Sequence, residues 1–224
     1  WKVASGEVGN SQLLTALKAS GLPVILSSGL STIAELRSVI DLLSLSGSRV
    51  AVLQCATQYP TAPERVGLNV ISRLRSEFEC VVGISDHSST IYPSLAAAAL
   101  GGRVFESHIK EPNDDSGPDA SSSLTEEHLR QLVDGVRFIR NSILNPVDKD
   151  VLLSDQIELR KIFGRSIVAA RELPAGHEIA EDDLAYKKPG GGLDYSWYTR
   201  LVGAVLTRSL EADEALELGD VKEH

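Results

Sequence analysis

The sequence predicts an α/β protein: a parallel sheet alternating with helices, followed by a smaller β-rich domain. Three observations carry that expectation. Over about the first 110 residues, short apolar runs end in polar tips and lead into amphipathic helices. The apolar runs are continuous rather than alternating, as in strands covered on both faces. Beyond about residue 165 the texture changes to short strands, turns and glycine-rich loops.

Taken in order, Lys2-Val3-Ala4-Ser5 reads as a first strand. Pro23-Val24-Ile25-Leu26 runs into Ser27-Ser28-Gly29, after which Thr32 and Glu35 have capping-box spacing and open a helix to about Leu45. Val50 to Leu53 leads to Gln54-Cys55-Ala56-Thr57-Gln58-Tyr59-Pro60, with a helix from about Asn69 to Glu77. Val81 to Ile84 ends in Ser85-Asp86-His87, before an alanine-rich helix from Ser94 to Leu100. Val104-Phe105-Glu106 then reaches Ser107-His108. A barrel and an open doubly wound sheet both fit these five strands. The polar tip on every strand favours the barrel, whose catalytic face gathers all strand ends; an open sheet concentrates its site at one switch point.

From Thr125 to about Leu144, Leu129, Leu132, Val133, Val136 and Ile139 recur at helical spacing. Residues 145–155 read as a linker and Gln156–Phe163 as a short helix. Ser166 to Ala170 is a strand, Pro174-Ala175-Gly176 a turn, and Lys188 to Gly192 a wide loop. The expected division is a first domain over 1–144, a linker over 145–162 and a β-rich domain over 163–224.

Composition narrows the function. The 224 residues are 42% hydrophobic and 24% charged, with a net charge of −9. That charge argues against a sequence-independent grip on nucleic acid or anionic membrane, while leaving room for a local cationic pocket. Two cysteines, Cys55 and Cys80, make neither a disulfide framework nor a cysteine metal cluster. Nothing resembles a signal peptide and no apolar run is long enough to span a bilayer, so a cytoplasmic location is the expectation. The chain contains no methionine and opens inside an apparent strand. The expectation is either a trimmed chain or a longer protein lacking a substantial N-terminal portion.

The motifs together resemble the sialic acid (N-acetylneuraminate) synthases and their relatives that make other nonulosonic acids. Lys2 to Glu7 is similar to that family's fourth-strand motif, Val24 to Gly29 to its fifth and Cys55 to Pro60 to its sixth. Gly83 to His87 and Phe105 to His108 are similar to the seventh and eighth, and Gly117-Pro118-Asp119 follows as it does in the family. Residues 164–218 resemble the family's C-terminal SAF, or antifreeze-like, domain. The resemblance implies a partial (β/α)8 TIM barrel, strands four to eight, plus a small β-clip SAF domain. It implies a PEP-dependent, C–C bond-forming transferase: phosphoenolpyruvate condenses with an N-acylated amino-hexose (N-acetylmannosamine or a relative) and water, releasing phosphate. It also implies a domain-swapped homodimer, and that this chain by itself is inactive.

Residue by residue, His87 and His108 end consecutive strands and are expected to hold a divalent ion, manganese first, with magnesium or cobalt as alternatives. Each alone reads rather as a hydrogen-bonded strand-end histidine; the pair, inside both motifs, favours the metal. Asp86 either orients His87 or caps the following helix. Lys2, Ser5, Ser27 and Ser85 are the expected cradle for phosphoenolpyruvate, although each serine alone reads as a turn or cap. Lys2 alternatively suggests a Schiff-base aldolase. Glu7 is the expected proton-handling or water-orienting carboxylate, with a helix N-terminal acid as its other reading. Tyr59 and Asp119 match positions that contact the sugar acceptor, Asp119 reading alternatively as a turn residue after Gly117-Pro118. Thr57 stands where the family often has asparagine or serine and is expected to hydrogen-bond substrate still. Lys188-Pro189-Gly190 stands where the family has Arg-Pro-Gly, whose arginine reaches the acceptor of a partner protomer; lysine loses the bidentate fork. The stretch from Ile109 to Asp115 also departs from the family, so the expected change is in the sugar rather than the donor. Cys55 reads as strand packing, with no base partner evident. A carbohydrate-binding chain without catalysis is the competing class.

Overall fold

Continuous apolar strands need cover on both faces, and the helices that follow them supply it. In the computed structural model, which describes residues 1–113 and 115–222, the chain forms two units, Trp1–Pro146 and Val147–His224. Asp114, within the divergent Ile109–Asp115 stretch, and the last two residues of the β-rich domain lie outside the described residues.

The first unit runs β1 (Lys2–Val3), α1 (Ser11–Ser20), β2 (Val24–Ser27), α2 (Ile33–Ser44), β3 (Val50–Cys55), α3 (Leu68–Glu77), β4 (Val81–Asp86), α4 (Tyr92–Ala99), β5 (Val104–Ile109), β6 (Ser123–Leu124) and α5 (Glu126–Leu144). All six strands are parallel, in sequence order. The sequence pattern gives five of them. β6 corrects that count: a two-residue strand in the connection before α5, pairing Ser123 with His108.

Helix starts follow local chemistry. Thr32 caps α2, its hydroxyl accepting from the Glu35 amide while the Glu35 carboxylate accepts from the Thr32 amide at 2.7 Å. Thr125 caps α5 through the His128 amide. α2 buries Leu36, Val39, Ile40 and Leu43, the i, i+3, i+4, i+7 stripe that seats a helix on a sheet. With Val24, Leu26, Val52, Val82 and Ile84 these form the core of the unit.

The sheet is curled. Parallel strands lie about 4.8 Å apart, so a flat sheet would separate β1 from β5 by roughly 19 Å. Instead Lys2 Nζ on β1 stands 3.5 Å from Glu106 Oε1 on β5. The two side chains meet inside a half-barrel.

The second unit begins with α6 (Ser154–Phe163), followed by the antiparallel pair β7 (Ser166–Ala169) and β8 (Leu184–Lys187), then a one-turn α7 (Tyr198–Leu201). It contains a pseudo-repeat that a search for strands passes over. Arg171 and Asp183 recur at the same interval as Arg208 and Asp220, and the backbone bonds recur with them. Leu173 and Leu210 exchange a mutual pair of hydrogen bonds of 2.8–2.9 Å. Ile179 N donates to Ala204 O as Leu216 N donates to Ile167 O, both at 2.9 Å. Each buried aspartate closes a turn by accepting from the amide three residues earlier: Ala180 N to Asp183 and Glu217 N to Asp220.

Asp183 is 1% exposed and holds Arg171 at 2.6 Å and His177 at 2.6 Å. The His177 hydrogen bond, with the Ala180 amide and Arg171, holds its carboxyl below the usual range despite burial. A depressed native pKa gives stability that is present above the unfolded value, about 3.9, and lost as pH falls through the native value. Asp183→Asn is therefore expected to cost about 1–3 kcal/mol near neutral pH and to flatten the acid limb of unfolding. Trp197 lies in this unit and reports it; an unchanged acid limb in the variant would contradict the assignment.

Among the described residues, no helix is long and apolar enough to cross a membrane.

Candidate functional site

Period-two alternation places Ser85 and His87, and likewise Glu106 and His108, on one face of β4 and β5. The curl turns that face inward, and the polar strand tips converge there in two layers.

The deeper layer is built on Lys2, Ser27 and Ser85. Lys2 Nζ donates to Ser27 Oγ at 2.8 Å, and Ser85 Oγ donates to Glu106 Oε1 at 2.8 Å. Ser27 and Ser85 are both 3% exposed. Glu106 is the residue that sequence reasoning missed. It compensates the Lys2 charge from four strands away, and its period-two spacing from His108 was the signal available in the sequence. Ser5 sits beside this layer, accepting from the Gly29 amide at 3.1 Å. A Cβ on Gly29 would fall 2.3 Å from Thr57 Oγ1, 2.8 Å from Ser5 Oγ and 3.1 Å from the Cys55 carbonyl, so glycine lets those hydroxyls close in.

The outer layer joins His87, His108, Tyr59 and Asp119. The imidazole centroids lie 5.1 Å apart. Tyr59 stacks obliquely on His87 at 4.1 Å and meets His108 edge-on at 5.9 Å. Asp119 Oδ2 stands 3.6 Å from His108 Nδ1, beyond hydrogen-bonding distance. His87 is buried, and its Nδ1 lies 3.1 Å from the Ala56 carbonyl, which accepts and so fixes that nitrogen as the protonated one.

Cys55 ends β3 and is buried, with His87, Ser5 and Ser85 around it. Burial pushes the Cys55 thiol up, but hydrogen bonds from His87, Ser5 and Ser85 outweigh it and draw the thiol below its ordinary value. Burial pushes His87 down, and its bonds to Cys55 and Ala56 more than reverse that. Asp86 is buried on the opposite face of β4, held by the Ser88 hydroxyl at 2.8 Å and the Ser88 amide at 3.2 Å; burial raises its pKa. Those bonds fit a local turn directly after the strand.

Two expected residues stand apart from this network. Glu7 is exposed in the turn after β1, accepting from the Asn10 side chain at 2.6 Å. Lys188 belongs to the second unit, where its ammonium lies 5.5 Å from the centre of the Phe163 ring.

No cluster of three or more protein metal ligands occurs among the described residues. The paired imidazoles nevertheless fit a divalent ion that takes its other ligands as oxygen from water or substrate. Anchoring His87 Nδ1 on a carbonyl is the outer contact that such ligands use.

A curled parallel sheet with its polar strand ends gathered on one inner face is the architecture of a barrel-type α/β enzyme. Residues 1–147 match the NeuB family and residues 164–222 the SAF domain. The chain belongs to the NeuB family. It is 33% identical to an uncharacterized protein of Methanocaldococcus jannaschii, over 96% of this chain and 62% of that one. It is 30% identical to the N,N'-diacetyllegionaminic acid synthase of Campylobacter jejuni, over 96% and 65%. The N-acetylneuraminate-9-phosphate synthase of Mus musculus is also 30% identical, over 100% and 62%. The chain thus spans under two thirds of the length of these relatives. Among solved structures, it superposes on the N-acetylneuraminic acid (sialic acid) synthetase of Leptospira borgpetersenii with a TM-score of 0.64 at 32% identity, covering 70% of this chain and 55% of that one. On the Bacillus subtilis spore coat polysaccharide biosynthesis protein the TM-score is 0.60 at 27% identity, covering 100% and 67%.

Proposed function

We propose that the chain is the catalytic-face portion of a nonulosonic acid synthase, which condenses phosphoenolpyruvate with an N-acylated amino-hexose and water and releases phosphate. The observation that carries this reading is the convergence of Lys2, Ser27 and Ser85 beneath His87, His108, Tyr59 and Asp119 in a chain of this family. β1 to β5 correspond to strands four to eight of an eight-stranded barrel, and the second unit to the cap. The relatives' names support the sialic, legionaminic or pseudaminic class.

The enol carbon of phosphoenolpyruvate bonds to the sugar aldehyde carbon, water adds to the resulting cation, and phosphate departs. Lys2 and the hydroxyls of Ser5, Ser27 and Ser85 hold the donor's phosphate and carboxylate. Tyr59, Thr57 and Asp119 orient the acceptor. Glu7 handles a proton or positions the attacking water. A divalent ion, manganese first, held by His87 and His108, supplies Lewis acidity at the aldehyde oxygen when bound. In a homodimer, Lys188 from the partner's cap faces the acceptor's N-acyl group, and its lost bidentate fork favours an altered sugar.

The test is phosphate release from phosphoenolpyruvate with manganese and a panel of N-acylated hexoses, for this chain and for the complete product of its gene. Release with one acceptor is expected from the complete product, with N-acetylmannosamine not the best acceptor; no release from a folded, soluble complete product with any acceptor overturns the reading. Glu106→Gln is expected to tighten phosphoenolpyruvate binding several-fold at low salt, because it removes the carboxylate that competes for Lys2. Titration calorimetry checks this; weaker binding would give Glu106 a different role.

A further inference from the structure

The second unit holds a cavity of about 490 Å³ where the C-terminal end of α6 meets the loop after β8. Arg160, Lys161 and Arg165 line it together with three consecutive glycines, 190–192. Acidic residues outnumber basic ones in this unit, so the cationic cluster does not follow from composition. Arg160 and Lys161 in the last turn of α6 also complement the helix dipole. That does not account for the glycine loop; Arg165, beyond the helix, donates one guanidinium N–H to the Tyr186 carbonyl at 3.1 Å and keeps its other N–H groups for a ligand.

The loop is built for close approach. A Cβ on Gly190 would fall 2.8 Å from the Arg160 carbonyl and 3.2 Å from the Gly164 backbone. Gly191 has φ +142°, a conformation open to glycine. Among the described residues, the Gly190 and Gly191 amides make no hydrogen bond, whereas Gly192 N donates to Ser166 Oγ at 2.9 Å. Free backbone amides beside three cations are the donor set of an anion site. Asp194, the carboxylate in the lining, is 3.5 Å from Arg160 Nη2, and Glu158 Oε1 is 3.0 Å from Lys161 Nζ, with all four side chains at least half exposed. Such pairs are weak and exchange readily.

We propose that this cavity binds a small phosphate-bearing anion, with Arg160, Lys161, Arg165 and the 190–192 amides as its donors. The site is built from the second unit's residues alone and does not depend on the synthase reading. Tyr195, 78% exposed at the rim, offers a flat face to the rest of a phosphate ester.

Calorimetric titration of the chain with inorganic phosphate, pyrophosphate and a nucleoside monophosphate, at fixed ionic strength in chloride, tests this and separates free phosphate from a monoester. Arg160→Gln and Arg165→Gln are each expected to weaken binding roughly tenfold. Running the same titrations on Lys2→Gln, which disables the strand-end phosphate cradle, isolates the heat that belongs to this cavity. Asp194→Asn keeps the cap on the Ser196 amide and should tighten binding several-fold, because it removes the competing carboxylate. Circular dichroism establishes that each variant is folded. No binding of any of the three anions, or binding that the arginine variants leave unchanged, overturns the proposal.

Discussion

His87→Ala is expected to lower phosphate release in the synthase assay by about 10³-fold, the scale on which a principal electrostatic group is lost. His87 sits between both layers of the site. Its ring stacks on Tyr59, faces His108 and is fixed by the Ala56 carbonyl. Alanine removes a residue proposed to hold the metal and the anchor of that cluster together. His87 is 4% exposed, so the variant also tests folding. His108→Ala separates the two effects, because the His108 side chain is 36% exposed and its removal leaves the deeper layer intact. The same collapse of activity is expected there with little change in unfolding midpoint. A His108→Ala enzyme that kept a tenth of its activity would remove the paired imidazoles from the mechanism.

Gly83→Ala should destabilise the first unit by about 3–5 kcal/mol, the range of severe overpacking. Gly83 lies mid-strand in β4, in register with Val104. A Cβ there would fall 1.9 Å from the Val104 carbonyl oxygen and 2.7 Å from its carbon. Backbone cannot rotate aside as a side-chain tip can, so β4 and β5 must part, and they carry Ser85, His87, Glu106 and His108. Gly6→Ala is the control, since a Cβ there meets nothing within 4 Å and the expected change is within about 0.5 kcal/mol. Urea unfolding of both variants decides. A Gly83→Ala protein as stable as the parent would mean that the strands approach less closely.

Much of the fold was legible where its causes are local. Thr32 and Glu35 fix the start of α2 within four residues of chain, and Thr125 does the same for α5. The apolar runs give β2, β3, β4 and β5 because burial on both faces demands them. β6 was not legible: Ser123–Leu124 has no apolar run and is a strand only because β5 offers it a partner. The paired turns of the second unit left a trace in the recurrence of Arg171, Leu173 and Asp183 as Arg208, Leu210 and Asp220, but that Leu173 and Leu210 bond each other was not legible.

For the candidate site, the residue types at the strand tips came from the sequence and from a family resemblance. Their company did not. By itself the sequence determined which residues stand at the strand ends, because side-chain alternation and helix capping act over a few residues. The tertiary structure alone decided that Lys2 meets Glu106 from across four strands and that Tyr59 meets both His87 and His108. Those meetings depend on sheet curl and register, which arise from the packing of the whole unit rather than from any one segment.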